Sequence, residues 1–318
     1  MIIKKINPVL ILLMVLTACF TFSAADPQSP AAVPQKKSYT IGFIRSLFSE
    51  VVLSDAQAAL KVWVKEIVKA YHYNEGYNLK AKIYNRYDDV KEEMKHDSLA
   101  VVVLNTLDYL EYIDKIELDP VLVLSSRGDI FEQYYILVKK DDHYKNIKDL
   151  KGADIGQISG KNQAASRYWL DVTLAKNNIS DKTKFFKKVV TSDKESQLIL
   201  NLFFGHLDAC IVSKGSFTLM KELNPQIESK IMCIQNSPGY LIGLICYVKN
   251  VISDHEKDLF YTNVLHIQEL NSGKQLLSLI KVDKLVDFKK EYLINTRELA
   301  KEYSYLVKTK KIKNDESE

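Results

Sequence analysis

Tyr134-Tyr-Ile-Leu-Val-Lys139, then Ile147-Lys-Asp-Leu-Lys-Gly152 and Ala153-Asp-Ile-Gly-Gln-Ile158, is the passage whose reading decides the fold. The first and last segments are apolar runs of strand length, and the middle one is a charged turn ending in glycine. A helical pattern follows directly at 162–174. Strand, turn, strand and helix in that order form the repeating unit of an α/β domain, with strands apolar enough to be buried on both faces.

The same alternation extends toward the N-terminus. Residues 39–44 are β-type, and a helix follows with Ser54 and Gln57 in capping-box positions and Ala59, Val62, Trp63, Ile67 and Ala70 on its apolar face. A strand at 79–84, a helix at 88–95, a fully apolar strand at 99–104, a helix at 107–113 and a strand at 121–124 complete this half. Toward the C-terminus come a strand at 185–190, a helix capped by Ser192 and Glu195 that ends at Gly205, and strands at 207–212, 231–234 and 241–248. Ser253 and Glu256 open a long helix through Leu270, and helices at 273–280 and 290–307 close the chain. The expectation is an α/β architecture with largely parallel sheets.

The ends read differently. Lys4 and Lys5 precede the apolar run 9–16, and small residues follow to Ala25, which is the pattern of a secretory signal peptide over 1–25. Cleavage after Ala25 would release a periplasmic protein. Leu16-Thr17-Ala18-Cys19 also has the form of a lipobox, in which Cys19 would be lipidated and anchor the chain. Residues 26–37, with Pro27, Pro30 and Pro34, read as a flexible tether, and 308–318 as a charged tail. Removal of the signal takes the net charge from +4 to +2, 42 basic residues against 40 acidic ones. So small a charge gives no footprint for nucleic acid or for a membrane surface.

Cys210, Cys233 and Cys246 remain after the signal, without a CxxC pair, and the six histidines show no metal-ligand spacing. Neither a metal nor any other cofactor is expected. A Cys233–Cys246 disulfide stays open in an oxidising compartment. There is no nucleophile elbow, GxGxxG or P-loop, and His143 and Cys210 read as structural, so the chain is not expected to be an enzyme.

The order of elements resembles the type II periplasmic-binding-protein fold, two α/β lobes joined by two crossover strands. The resemblance rests on the 135–152 passage, on Gly205-His-Leu-Asp-Ala209, and on Gly273-Lys-Gln-Leu-Leu277 with Val282-Asp283, Phe288 and Tyr292. The last group is similar to the C-terminal signature of the PhnD-like phosphate, phosphite and phosphonate-binding branch. The resemblance implies lobe I over 38–134, lobe II over 135–241 and a return to lobe I over 242–307. It also implies a ligand in the interlobe cleft and an ABC permease as partner. A sensory role, reporting ligand to a membrane receptor, is the alternative. A monomer is expected.

Open α/β sheets hold ligands where loops leave the carboxyl ends of strands. Four loops qualify here. Arg45, Ser46 and Phe48 follow the first strand, where Arg45 offers a bidentate grip on an anion and Phe48 an apolar wall. Asn105 and Thr106 stand at a helix start, as cap or ligand donors. Ser159, Gly160, Lys161 and Asn162 form a strand-to-helix turn suited to a phosphate, phosphonate or carboxylate. The hydroxyl-rich phosphonate clamp of the branch is absent from this turn, Lys161-Asn162-Gln163-Ala164-Ala165 standing in its place. Asp208, with Ser213 at the far end of its strand, would meet a ligand amine or fix the start of the strand. Tyr134, Tyr135 and Tyr240 fall near the expected hinge, where packing is their expected role.

Overall fold

The computed structural model describes residues 36–48, 51–71, 76–96, 98–159, 164–309 and 312. The signal segment, Cys19, most of the tether and Gly160, Lys161 and Asn162 lie outside the described residues. In chain order the first elements are β1 (Lys37–Ile44), α1 (Leu53–Ala70), β2 (Tyr77–Tyr84), α2 (Tyr87–Met94), β3 (Leu99–Asn105), α3 (Thr106–Tyr112), β4 (Leu118–Ser125) and β5 (Phe131–Glu132). Next come β6 (Tyr134–Lys139), β7 (Asp154–Ile158), α4 (Ala164–Lys176), α5 (Lys182–Phe185), β8 (Lys188–Ser192), α6 (Glu195–Phe203), β9 (Ala209–Ser213) and α7 (Lys214–Leu223). The chain ends with α8 (Pro225–Lys230), β10 (Ile231–Asn236), β11 (Tyr240–Leu241), β12 (Gly243–Val248), α9 (Asp254–Leu265), α10 (Asn271–Leu279), β13 (Lys284–Asp287) and α11 (Ile294–Lys308).

Two sheets organise these elements. The first runs β13-β4-β12-β3-β1-β2 and the second β10-β6-β9-β7-β8, while β5 and β11 pair with each other alone. The chain passes from first sheet to second through β5 and returns through β11, so this short antiparallel ribbon carries both crossings. Parallel pairing is confined to β1 with β3, β7 with β8 and β7 with β9 among the recorded registers. β12 lies antiparallel between β3 and β4, and β6 antiparallel between β9 and β10. The sheets are therefore mixed rather than largely parallel, because each strand that follows a crossing enters its new sheet in the opposite sense.

Both faces of each sheet are covered, as the unbroken apolar strands require. In β3 every residue from Leu99 to Leu104 is buried. α1, α9 and α10 close one face of the first sheet over Ile41, Phe43, Trp63 and Leu276, and α3 closes the other over Leu104, Tyr109 and Leu244. On the second sheet, α6, α7 and α8 cover Leu137, Leu198, Cys210 and Ile227. Its opposite face packs on α4 and on the last helix: Leu299, Tyr303 and Leu306 of α11 join Trp169 and Leu170. The Tyr168 and Tyr303 rings stack 3.6 Å apart. The return segment was expected to rejoin the first lobe throughout, but from Ile294 onward its apolar stripe serves the second.

Local signals held unevenly. The Ser253–Glu256 capping box forms, with both reciprocal bonds present. At α1 the cap position falls on Val52 and Ser54 instead hydroxyl-bonds its neighbour Asp55, so the expected box is not made. At α6 the Ser192–Glu195 box is also absent, because Glu195 turns elsewhere. Cys233 and Cys246 sit on β10 and β12, in different sheets, and both are free thiols.

Candidate functional site

A cleft of about 2170 Å³ lies between the two sheets, lined by residues from both and by the β5–β11 ribbon. Sites that enclose a small molecule measure roughly 300–1,000 Å³. This cleft is larger than that.

The first wall is built at the ends of β1 and β3. Ser46 donates to the Asp108 carboxylate and accepts from the Asn105 amide at 3.0 Å, which locks three polar side chains into one network. Asn105 occupies the cap position of α3 without capping it, its side chain being committed to Ser46. Thr106 lines the cleft and is 1% exposed, and its hydroxyl is buried with no partner among the described residues. Arg45 lines the cleft but spends its guanidinium on the carbonyls of Phe48 and Val51, the latter at 3.2 Å. Phe48 is fully buried, packed 6.0 Å from the Phe43 ring, and offers the cleft no wall.

On the second wall Ser159 is exposed to the cleft at the end of β7. Just before it, Gln157 is 7% exposed and its side-chain carbonyl has no donor among the described residues. Asp208 is at the opposite end of β9. Its carboxylate accepts the Asp154 N–H at 2.7 Å and fixes the start of β7, away from any ligand. Of the residues singled out from sequence, Arg45, Ser46, Asn105, Thr106 and Ser159 meet at the cleft; Phe48 and Asp208 do not.

Four cleft residues were not singled out as ligand groups. Glu195, at the start of α6, accepts from the Ser213 N–H and hydroxyl, each at 2.7 Å, and from the Ser216 hydroxyl. The S-x-x-E spacing concealed it, since a capping-box glutamate and a cleft glutamate look alike in sequence. Glu132, on the crossing strand β5, also lines the cleft, and burial of its carboxyl followed by the Glu195 charge pushes it up to about 7. Burial likewise raises the neighbouring Tyr134 hydroxyl. The fourth is Arg127. Ser126 and Asp129 exchange main-chain bonds of 2.8 and 3.1 Å around a turn with Arg127 at φ 53° and Gly128 at φ 78°. That left-handed pair is a sharp reversal, and Asp283 secures it by accepting the Gly128 N–H at 2.7 Å. The turn carries the guanidinium across the cleft to the start of α7, where a Cβ on Gly215 would stand 2.6 Å from Nη1.

The Tyr134 and Tyr240 rings, 6.3 Å apart, pack together at the foot of the ribbon. His143 is exposed beside Tyr144, and Cys210 is buried with its thiol raised by burial; neither lines the cleft. Among the described residues no helix is long and apolar enough to cross a membrane.

The comparisons agree with this architecture. Residues 49–293 match the family described as "ABC transporter, phosphonate, periplasmic substrate-binding protein". No curated protein matches the chain by sequence. Among solved structures, the binding component of a Pseudomonas aeruginosa ABC phosphonate transporter is 17% identical with TM-score 0.53, covering 87% of this chain and 88% of that one. PhnD1 from Prochlorococcus marinus, in complex with methylphosphonate, is 15% identical with TM-score 0.56, covering 84% and 98%. A Xanthomonas citri protein bound to ATP is 9% identical with TM-score 0.60, covering 86% and 99%. These likenesses show the two-lobed type II binding-protein fold, and the family is one of transport rather than catalysis. By its matched residues and its fold, this chain belongs to the phosphonate family of periplasmic substrate-binding proteins of ABC transporters.

Proposed function

We propose that the protein is exported and captures a small oxyanion of the phosphonate or phosphate type between its lobes, for delivery to an ABC permease. The observation that carries this is the cleft lined by polar groups from both sheets, with both chain crossings gathered in one short ribbon. Closure about such a ribbon would bring the Thr106 hydroxyl and the Arg127 guanidinium of the first lobe toward Gln157, Ser159 and Glu195 of the second. Arg127 and Thr106 suit the anionic oxygens. Gln157 Oε1 and the Glu195 carboxylate accept hydrogen bonds, so the ligand presents a donor to the second wall. Segment 1–25 serves as the export signal, and 26–37 as a tether, released after Ala25 or lipidated at Cys19.

Support comes from the family and from the fit between an open cleft and a solute that closes it. The test is a thermal-shift and calorimetric screen of the mature protein against phosphate, phosphite, alkylphosphonates, sulfonates and carboxylates. Stabilisation by a phosphorus oxyanion with a dissociation constant of about 1 μM or tighter, some 8 kcal/mol of binding, is expected. No response across the whole panel would overturn the reading.

A further inference from the structure

Among the described residues the chain crosses between its two sheets a third time, at the start of the last helix. Leu293 is 3% exposed in the core of the first sheet, whereas Leu299, Tyr303 and Leu306 of α11 are buried against the second. This third passage is tied to the β5–β11 ribbon at three points. The Leu241 N–H of β11 donates to the Thr296 hydroxyl oxygen at 2.9 Å, in a buried contact. The Asn295 side-chain amide donates to the Gly239 carbonyl at 3.0 Å. The Tyr292 ring meets Phe131 of β5 edge-on, with 5.8 Å between centroids. The bond to Thr296 has a particular place in the ribbon. Ile242 donates its N–H across to Ile130, so Leu241 beside it points its own N–H to the edge of β11 that β5 does not cover. Thr296 is the acceptor there, in the place a further strand would take.

We infer that the hinge has three members, β5, β11 and the start of α11, and that Thr296 is the positioning residue that makes them turn together. A two-stranded ribbon is marginal without a neighbour to support it, and α11 is that neighbour. The stack of Tyr168 on Tyr303, 3.6 Å apart, fixes α11 to the second lobe. Rotation of that lobe therefore carries α11 with it and bends the chain between Leu293 and Thr296, since hinges absorb rotation in a few residues at element ends. With Thr296 bonded to Leu241, ribbon and helix move as one, and the lobes have a single path to closure. Without that bond they turn separately, and the closed arrangement becomes one of several. This inference rests on the reading above that the lobes close on a ligand, and deepens it by naming the residue that sets how they close.

The experiment compares wild type, Thr296→Val and Thr296→Ser by spin-label distances across the cleft, with labels at Lys115 and Asp193 in a Cys233→Ser background, and by calorimetric titration with methylphosphonate. Valine keeps the shape and removes the acceptor, while serine keeps the oxygen. Without ligand, Thr296→Val should broaden the distance distribution and Thr296→Ser should reproduce that of wild type. Methylphosphonate affinity of the valine variant should fall by about fivefold or more, the low end for a coupling of this kind, with serine restoring it. Thr296 also lines the cleft, so the ligand-free distances, which no ligand contact can affect, decide between hinge and direct contact. Asn295→Ala removes the half-buried tie to Gly239 and should broaden the distribution in the same direction, which keeps the test standing if the valine variant does not fold. A Thr296→Val protein with a lower urea midpoint but the wild-type ligand-free distribution would show a merely structural bond and overturn the inference. If no oxyanion binds wild type, the oxyanion reading fails, and the ligand-free distributions still decide the hinge.

Discussion

The carboxylate of Glu195 accepts two hydrogen bonds from a single residue, Ser213, at 2.7 Å from the main-chain N–H and 2.7 Å from the hydroxyl. The two residues are 18 apart in sequence, so the contact ties the start of α6 to the end of β9 and the start of α7. One side chain thereby organises the second wall of the cleft.

Glu195→Ala leaves those donors without their acceptor. Loss of a charge-assisted bond of this kind costs about 1–3 kcal/mol, and Glu195→Gln should recover part of it. Urea unfolding of the three proteins, with m-values compared, measures this. An alanine variant as stable as wild type would show that solvent replaces the contact at no cost.

Gly215→Ala would place a Cβ 2.6 Å from Arg127 Nη1. The guanidinium is the end of a flexible, exposed side chain and can move aside, so stability should change by less than about 0.5 kcal/mol. Oxyanion affinity should fall roughly tenfold, about 1.4 kcal/mol. Arg127→Ala should have the same effect, and the double variant should add little to either. Full additivity in this cycle would mean that the two residues act apart.

Gly273→Ala is a different case, because the Cβ would lie 1.9 Å from the Ile267 carbonyl oxygen and 2.9 Å from its carbon. Here the obstacle is main chain, fixed by the helical turn at Ile267–Glu269. A loss of about 3 kcal/mol, at the upper end for overpacking, is expected. Thermal unfolding checks it. A wild-type melting temperature would show that α10 can move away from that turn freely.

Glu132 also carries a stability prediction. Its carboxyl is raised in the folded protein from 4.5 to about 7. The folded state therefore holds the proton more tightly than the unfolded chain, and its contribution is fully present below pH 4.5 and lost as pH rises through 7. Glu132→Gln keeps a neutral side chain at every pH. The variant should be the more stable protein at pH 8, with the difference closing as pH falls to 5. Denaturant midpoints at the two pH values measure this, and equal pH profiles would contradict it.

Much of the fold was legible because burial writes itself into composition. Strand β3 is six apolar residues in a row, which only a strand covered on both faces tolerates. Ser253 and Glu256 cap a helix through bonds that span three residues, a range a sequence pattern can register. Strand direction was less legible. β6 and β12 are as apolar as parallel strands would be, and only the crossings through β5 and β11 reverse their sense.

The site was readable in its loops and not in its contacts. Ser46 and Asn105 were found as residues at strand ends, but their mutual bond joins positions 59 apart. Asp208 and Arg45 show the converse: each carries the right charge at a plausible turn, yet one serves Asp154 and the other its own loop. Glu195 matched a local motif and was assigned a local role. Arg127 gave no signal at all, because its importance comes from a left-handed turn that aims it at Gly215, at the start of α7.

The central claim is that two lobes close on a small oxyanion, and a distance across the cleft tests it most directly. Spin labels at Lys115 on the first wall and Asp193 on the second, both exposed, would be placed in a background where the exposed Cys233 is replaced by serine. With a phosphorus oxyanion at saturation, the distance distribution should shorten and narrow into one population. A distribution that stays the same with and without every oxyanion of the panel would contradict the account.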